Sequence, residues 1–341
     1  MIRNQPSPAL HRLLDKTLRF APEYNDGFSN HLPMALAALE GIGAEESRLE
    51  AFFDSYARRL VSRPLKVAGT SVSDWSILRG RFDAFEALRS TFAVALQREG
   101  RDAVLSGALP LLFPGIAAAA FHGVIRVAHA VESRHDPELA AALAYWSARW
   151  MSLPPPASVE PDTDNVSEWL DAIDRRLLRD DAGWTPKASQ IDERMREAVQ
   201  TTAYRLEAGR LRMSGRDAGA QLIELALAAA ARYSRTRSFI VLHIATAARA
   251  ARTLVPWLPR EGAALAPLWH AAAAASLAAE TARALSVEMW TGIGLDWAEV
   301  LALARASDDE HVVKLVHAMN TQNTAAPHPD WLRAAVVAIG P

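Results

Sequence analysis

Over almost the whole of this chain, apolar residues recur at the three-to-four-residue spacing of a helix face. Runs of alternating Val, Ile, Thr and Tyr, which would mark strands, are missing, and Ala, Leu, Arg and Glu fill the positions between. That pattern selects an all-α fold. The spacing predicts roughly fifteen helices in one large bundle. Among them are segments from Pro8 to Leu18, Ser73 to Glu99, Gly115 to Ser133, Lys187 to Ala208, Ser238 to Leu254, Ala263 to Leu285 and Glu310 to Gln322. The stretch 152–165, which contains Pro154, Pro155, Pro156 and Pro161, is the one clear linker. It divides a single domain of residues 1–341 into halves 1–151 and 166–341, expected to pack around a central site.

Composition excludes several functions. With 341 residues, half of them hydrophobic and 22% charged, the chain is long enough for a substantial core and has the balance of a soluble globular protein. A net charge of −2 with scattered Lys and Arg gives no basic surface for nucleic acid. The most apolar windows, Leu111 to Ile125 and Ala263 to Ala279, are broken by Pro114, Gly115, His122, Pro267 and His270, so buried helices are expected there and no membrane span. The N-terminus lacks the apolar core of a secretion signal, and a cytoplasmic location is expected. No cysteine is present, so a transition metal would have to be held by imidazole and oxygen. HExxH, GxSxG, phosphate-loop and dinucleotide motifs are all absent, which leaves NADPH a possible electron source with no binding motif of its own.

The ten histidines are the remaining chemistry. His31 opens an apolar helix. His122 follows Ala117-Ala118-Ala119-Ala120-Phe121, and His243 lies within Phe239-Ile240-Val241-Leu242-His243-Ile244. A single histidine on an apolar face is commonly a hydrogen-bonded core residue. Several on separate helices, without a matching set of buried acids, point to one shared partner, and bundles build metal sites from facing helices. His311 supplies a fourth imidazole. Lys314 stands one turn beyond it on the same face, where an ammonium must be paired, snorkel out, lose its proton, or be carbamylated to an oxygen ligand. Spacing alone favours a snorkelling lysine or a pair with Glu310. His129 and His317 lie about two turns further along the helices of His122 and His311. His270 reads as a core or cavity residue, whereas His11, His135 and His328 read as surface groups.

Gly27-Phe28-Ser29-Asn30-His31, Phe121-His122-Gly123-Val124-Ile125-Arg126, Leu242-His243-Ile244-Ala245-Thr246 and Asp309-Glu310-His311-Val312-Val313-Lys314-Leu315 together resemble the motif series of the questin oxidase-like family. The resemblance implies an oxidoreductase, an iron-dependent oxygenase acting with dioxygen on an aromatic or polyketide-like small molecule. It also implies a metal, Fe(II), held by His31, His122, His243 and His311 with the motif lysine at Lys314. Fungal members tend to carry further histidines where this chain has Pro33, Met34, Ala35, Arg126 and Ala248, so the substrate does not transfer with the metal. Asn30, Glu132 and Thr246 are expected to fix imidazole tautomers. Trp75, Phe82, Phe121, Trp269 and Trp290 are candidates to stack on a planar ring, although aromatic residues on helices usually belong to the core. The competing readings are a non-enzymatic helical binding or scaffold protein and a Zn or Mn site used for another reaction.

Overall fold

Six helices begin where a short polar side chain takes up orphan backbone N–H groups. Ser7, Asn165, Thr201, Asp217, Asp296 and Asp309 each accept from the backbone of the first turn, and Asp296 with Glu299 completes a capping box. The computed structural model describes residues 5–25, 27–62, 70–213, 215–259, 262–280 and 294–340. Among them are sixteen α-helices and one two-stranded hairpin.

The first half holds α1 (Pro8–Thr17), the hairpin β1 (Glu23–Tyr24) and β2 (Phe28–Ser29), α2 (Leu32–Gly41), α3 (Glu46–Ala57), α4 (Phe85–Glu99), α5 (Arg101–Leu112), α6 (His122–Glu132) and α7 (Asp136–Arg149). The second half holds α8 (Val166–Asp180), α9 (Ile191–Ala198), α10 (Thr202–Glu207), α11 (Ala218–Thr236), α12 (Phe239–Leu254), α13 (Ala266–Ala278), α14 (Trp297–Ala306), α15 (Glu310–Ala325) and α16 (Pro329–Ile339). The all-α expectation holds, with the small hairpin as an addition to it.

The halves meet through the four helices that carry the buried histidines or adjoin them. α12 packs on α6 and α15 packs on α2. A continuous apolar core runs through both halves, from Leu13 and Leu36 to Trp269 and Trp331. The segment 152–165 is held to the second half: the Tyr204 hydroxyl donates to Pro154 O, and Thr163 bridges Leu211.

Several predicted helices are shorter or divided, each for a local reason. The segment from Ser73 is not one helix: Trp75–Leu78 and Phe82–Ala84 are separate 3₁₀ turns, divided at Gly80 with φ +76°. The predicted Lys187 to Ala208 helix is two, because Thr201 stops the first and caps the second. The end of the Ala263 to Leu285 prediction lies outside the described residues. The apolar stretch Phe239–Trp257 is long enough to cross a bilayer by composition, and 72% of it is buried inside the fold.

Candidate metal centre

Four helix ends converge at the top of the bundle. His31 enters α2, His122 opens α6, His243 lies one turn inside α12, and His311 and Lys314 occupy the first turns of α15. His31, His122, His243 and Lys314 are buried, with His243 fully so, and His311 is partly covered. All five predicted residues are therefore drawn into one neighbourhood, from segments far apart in sequence.

The backbone before His122 is unusual. Ala119, Ala120 and Phe121 have φ of 45°, 54° and 68°, a left-handed turn of three residues with side chains. Such residues cost about 1–2 kcal/mol each, so the surrounding packing must hold the turn in place. Its consequence is geometric: the turn points Ala119 O back at the ring it precedes, and His122 Nδ1 donates to that carbonyl at 2.5 Å. This turn is also why α6 begins at His122, whereas periodicity predicts a start near Gly115.

The other rings are tied in the same sense. His243 Nδ1 donates to Phe239 O at 2.7 Å, one helical turn back. His31 Nδ1 lies 3.3 Å from Glu310 Oε1, and His311 Nδ1 lies 3.4 Å from Asp309 Oδ1. A carbonyl or carboxylate at Nδ1 requires the proton there, which leaves Nε2 as a bare lone pair. Those lone pairs face one another. His31 Nε2 is 2.7 Å from His122 Nε2, His122 Nε2 is 3.2 Å from His243 Nε2, and His311 Nε2 is buried with no hydrogen-bond partner.

Two acceptors cannot satisfy each other, so these facing nitrogens call for a positive partner. A metal ion with bonds of about 2.1 Å to nitrogen places adjacent ligand atoms roughly 3 Å apart, which matches these separations. The donor types therefore suit a metal ion, and among the described residues the group whose ligand atoms all lie within 4.8 Å of one another is His31, Glu310 and His311.

Electrostatics agrees. Burial, followed by the nearby Lys314, pushes the pKa of His243 well below its usual value. For His31 burial also acts first, with Lys314 next and the other three histidines behind it. For His122 burial is followed by His243 and then Lys314. His311 is lowered too, by burial first, with Asp309 acting in opposition. These rings are neutral at neutral pH, the form that binds metal. Lys314 is pushed down to about 8 by burial, against the pull of Glu310 and Asp309, and among the described residues neither carboxylate forms an ion pair with it. The expected snorkelling does not occur, since Lys314 is only 2% exposed.

Glu310 is the residue that sequence reasoning passed over as a ligand. It is buried; its carboxylate faces His31 and receives the Tyr56 hydroxyl at 3.5 Å and Arg59 Nη1 at 3.5 Å. Ligand atoms of His31, Glu310 and His311 all lie within 4.8 Å of one another. The available signal was its place in the first turn of a helix whose cap and second residue were already singled out.

None of the three expected tautomer-fixing groups meets the ring nitrogens of the four converging histidines, although Glu132 lies 3.6 Å from His129 Nδ1. Asn30 accepts from Leu32 N and donates to Ala21 O, stitching the entry to α2. Thr246 bonds back to Leu242 O and His243 O. Glu132 lies ten residues beyond His122 at the other end of α6, where it pairs with Arg249 at 2.5 Å. Backbone carbonyls do the work at two of the four rings, and no side-chain pattern announces a carbonyl.

Aromatic candidates also redistribute. Trp269 packs edge-on to Trp169 in the core, Trp75 packs on Phe92, Phe82 lies under Arg149, Phe121 is buried, and Trp290 is outside the described residues. The cavity beside the histidines, about 710 Å³, is instead walled by Tyr24, Phe28 and Phe239 together with His31, His122, Glu310 and His311. Phe239 also packs on His243 and His311, with ring centroids 4.7 and 4.6 Å away. Opposite them Arg149 pairs with Glu23, which the Tyr145 hydroxyl also meets at 3.0 Å.

Among the remaining histidines, His135 corrects the surface reading: it is 5% exposed, caps α7 by accepting from Glu138 N, and meets Asp15 at 3.0 Å. His11 is likewise half-buried against Ser133 O, whereas His328 stays at the surface as the cap of α16. His270 lines a separate small cavity, and burial lowers its pKa to about 4.

No curated protein matches this chain. A family model does: Questin oxidase-like, over residues 28–319, a span that takes in all four converging histidines and Lys314. The chain belongs to the questin oxidase-like family, and the family implies an oxidase of small molecules.

Proposed function

We propose that this protein is a metal-dependent oxygenase, with Fe(II) held by His31, His122, His243 and His311, acting with dioxygen on a planar aromatic or polyketide-like molecule. The observation that carries this reading is the close approach of the His31, His122 and His243 Nε2 atoms while the Nδ1 atom of each ring faces a carboxylate or a carbonyl. When bound, Fe(II) would supply a redox-active centre for dioxygen chemistry. The protein's own residues do the rest. Ala119 O, Phe239 O and the Glu310 carboxylate hold three rings in one tautomer and aim them inward. Phe28 and Phe239 offer ring faces to an aromatic substrate in the adjoining cavity, where the buried side keeps water from the reacting atoms. Arg149, fixed by Glu23, presents a cation to a phenolate or carbonyl oxygen on that substrate.

Lys314 joins the ligand set only without its ammonium proton, as a free amine or a carbamate, and its lowered pKa favours the loss of that proton. A second reading follows from Glu310. Its approach to His31 and His311 resembles the two-histidine, one-carboxylate arrangement of non-haem iron sites, with Glu310 as the oxygen ligand in place of Lys314. A cytoplasmic setting belongs to this proposal, and NADPH enters only if the reaction consumes external electrons.

Metal analysis tests the proposal. Protein purified without chelator, or reconstituted anaerobically with Fe(II), is expected to hold close to one equivalent of iron. Iron that stays far below that level after reconstitution overturns it. Lys314→Met and Glu310→Gln then separate the readings, since the variant that loses iron identifies the oxygen or amine ligand.

A further inference from the structure

Two turns below the metal centre, at the opposite ends of α6 and α15, a second cavity of about 690 Å³ opens between α1, α2, α5, α6, α12 and α15. The two cavities share no lining residue. Its wall holds His317, one turn beyond Lys314, and Arg249, both more than nine-tenths buried. Arg249 gives one nitrogen to Glu132 at 2.5 Å, while among the described residues its Nε and Nη1 have no hydrogen-bond partner, and His317 Nδ1 has none either. The His317 ring is pressed against the backbone at Gly41, where a Cβ would come within 2.5 Å of its Nε2. Such a ring position is available only because residue 41 lacks a side chain.

The charges around this cavity are unequally employed. Each carboxylate is occupied: Glu132 with Arg249, Glu40 with the Ser7 hydroxyl and backbone N–H, and Asp102 with the Trp257 indole at 2.9 Å. The cations keep capacity, because Arg249 has two donors to spare and Arg134, exposed at the rim, makes no ion pair among the described residues. Buried donors without acceptors are costly, and an oxyanion is the group that satisfies guanidinium donors best. The cavity is far larger than an inorganic oxyanion needs, and Leu10, Leu105 and Trp257 give it an apolar flank. A metal ion would be opposed here by the fixed positive charge of Arg249.

We propose that this cavity binds a small organic acid, its oxyanion held by Arg249 and Arg134 with His317 beside it, and its apolar body lying against Leu105 and Trp257. This inference does not depend on the metal chemistry of the other site.

Calorimetric titration of the full-length protein with benzoate, and separately with inorganic phosphate, tests it. Benzoate is expected to bind, roughly tenfold more weakly in Arg134→Gln and not measurably in Arg249→Met. Arg249→Met removes the guanidinium partner of Glu132, so its near-ultraviolet circular dichroism is checked first; if it is misfolded, the exposed Arg134→Gln variant decides alone. The proposal is overturned by an absence of benzoate binding, by benzoate affinity unchanged in the properly folded variants, or by phosphate binding as tightly as benzoate, which would leave the apolar wall without a role.

Discussion

His122 and His311 at one end of α6 and α15, and His129 and His317 at the other, are the same residue type on the same two helices, about 10 Å apart along α6. Their surroundings differ. In the upper cluster each Nδ1 faces a carbonyl or carboxylate, so the rings are locked as inward-facing acceptors. In the lower pair His129 Nδ1 lies 3.6 Å from a Glu132 carboxylate oxygen and His317 Nδ1 has no hydrogen-bond partner among the described residues; the rings lie 5.3 Å apart, and after burial Arg249 is the first cause of their depressed pKa values. Counting histidines therefore does not distinguish the two ends; what surrounds each ring does.

The largest test of this contrast is metal content. His243→Ala removes a fully buried ligand and is expected to lower iron affinity by at least 10–100-fold, whereas His129→Gln leaves iron content unchanged; equal losses in both would erase the distinction.

Acid stability comes next. His31, His122 and His243 have folded pKa values below the unfolded value of about 6.5, so between the two the unfolded chain binds more protons. The metal-free protein is expected to hold this stability in full above pH ~6.5 and to lose it as pH falls further, by up to about 1.4 kcal/mol per pH unit for each histidine. Replacing both His129 and His317 with Gln should flatten that slope without abolishing it, and urea midpoints measured across the range read the difference.

Glu132→Gln strips Arg249 of its partner and is expected to cost about 1–3 kcal/mol in urea unfolding while leaving iron content intact. The smallest effect belongs to the left-handed turn. Ala119→Gly should stabilise the protein by about 1 kcal/mol by relieving the positive φ, and loss of stability in that variant would mean the turn is not strained.

Much of this was legible in the residues. Histidines on apolar helical segments mark themselves, because a buried imidazole needs a partner and the sequence shows few buried acids to provide one. The lysine's burial was harder to read, since one helix turn past His311 can face solvent or core depending on what packs above it. Glu132 was misassigned for a related reason: it shares α6 with His122 but lies nearly three turns away, and only the crossing of α12 decides that Arg249 is its neighbour. The helix breaks at Gly80 and before His122 escaped a reading by periodicity, which registers faces and not backbone dihedrals.

By itself the sequence determined the fold class, most of the helical segments, and which four histidines lie on apolar helices, because periodicity and the cost of burying polar groups are local properties of the chain. The tertiary structure decided the rest. It set which nitrogen of each ring faces inward, made Glu310 a neighbour of His31 across 279 residues, and split one set of histidines into a converging cluster and an arginine-walled cavity. Those outcomes depend on distances between atoms remote in sequence, which only the packing of α2, α6, α12 and α15 fixes.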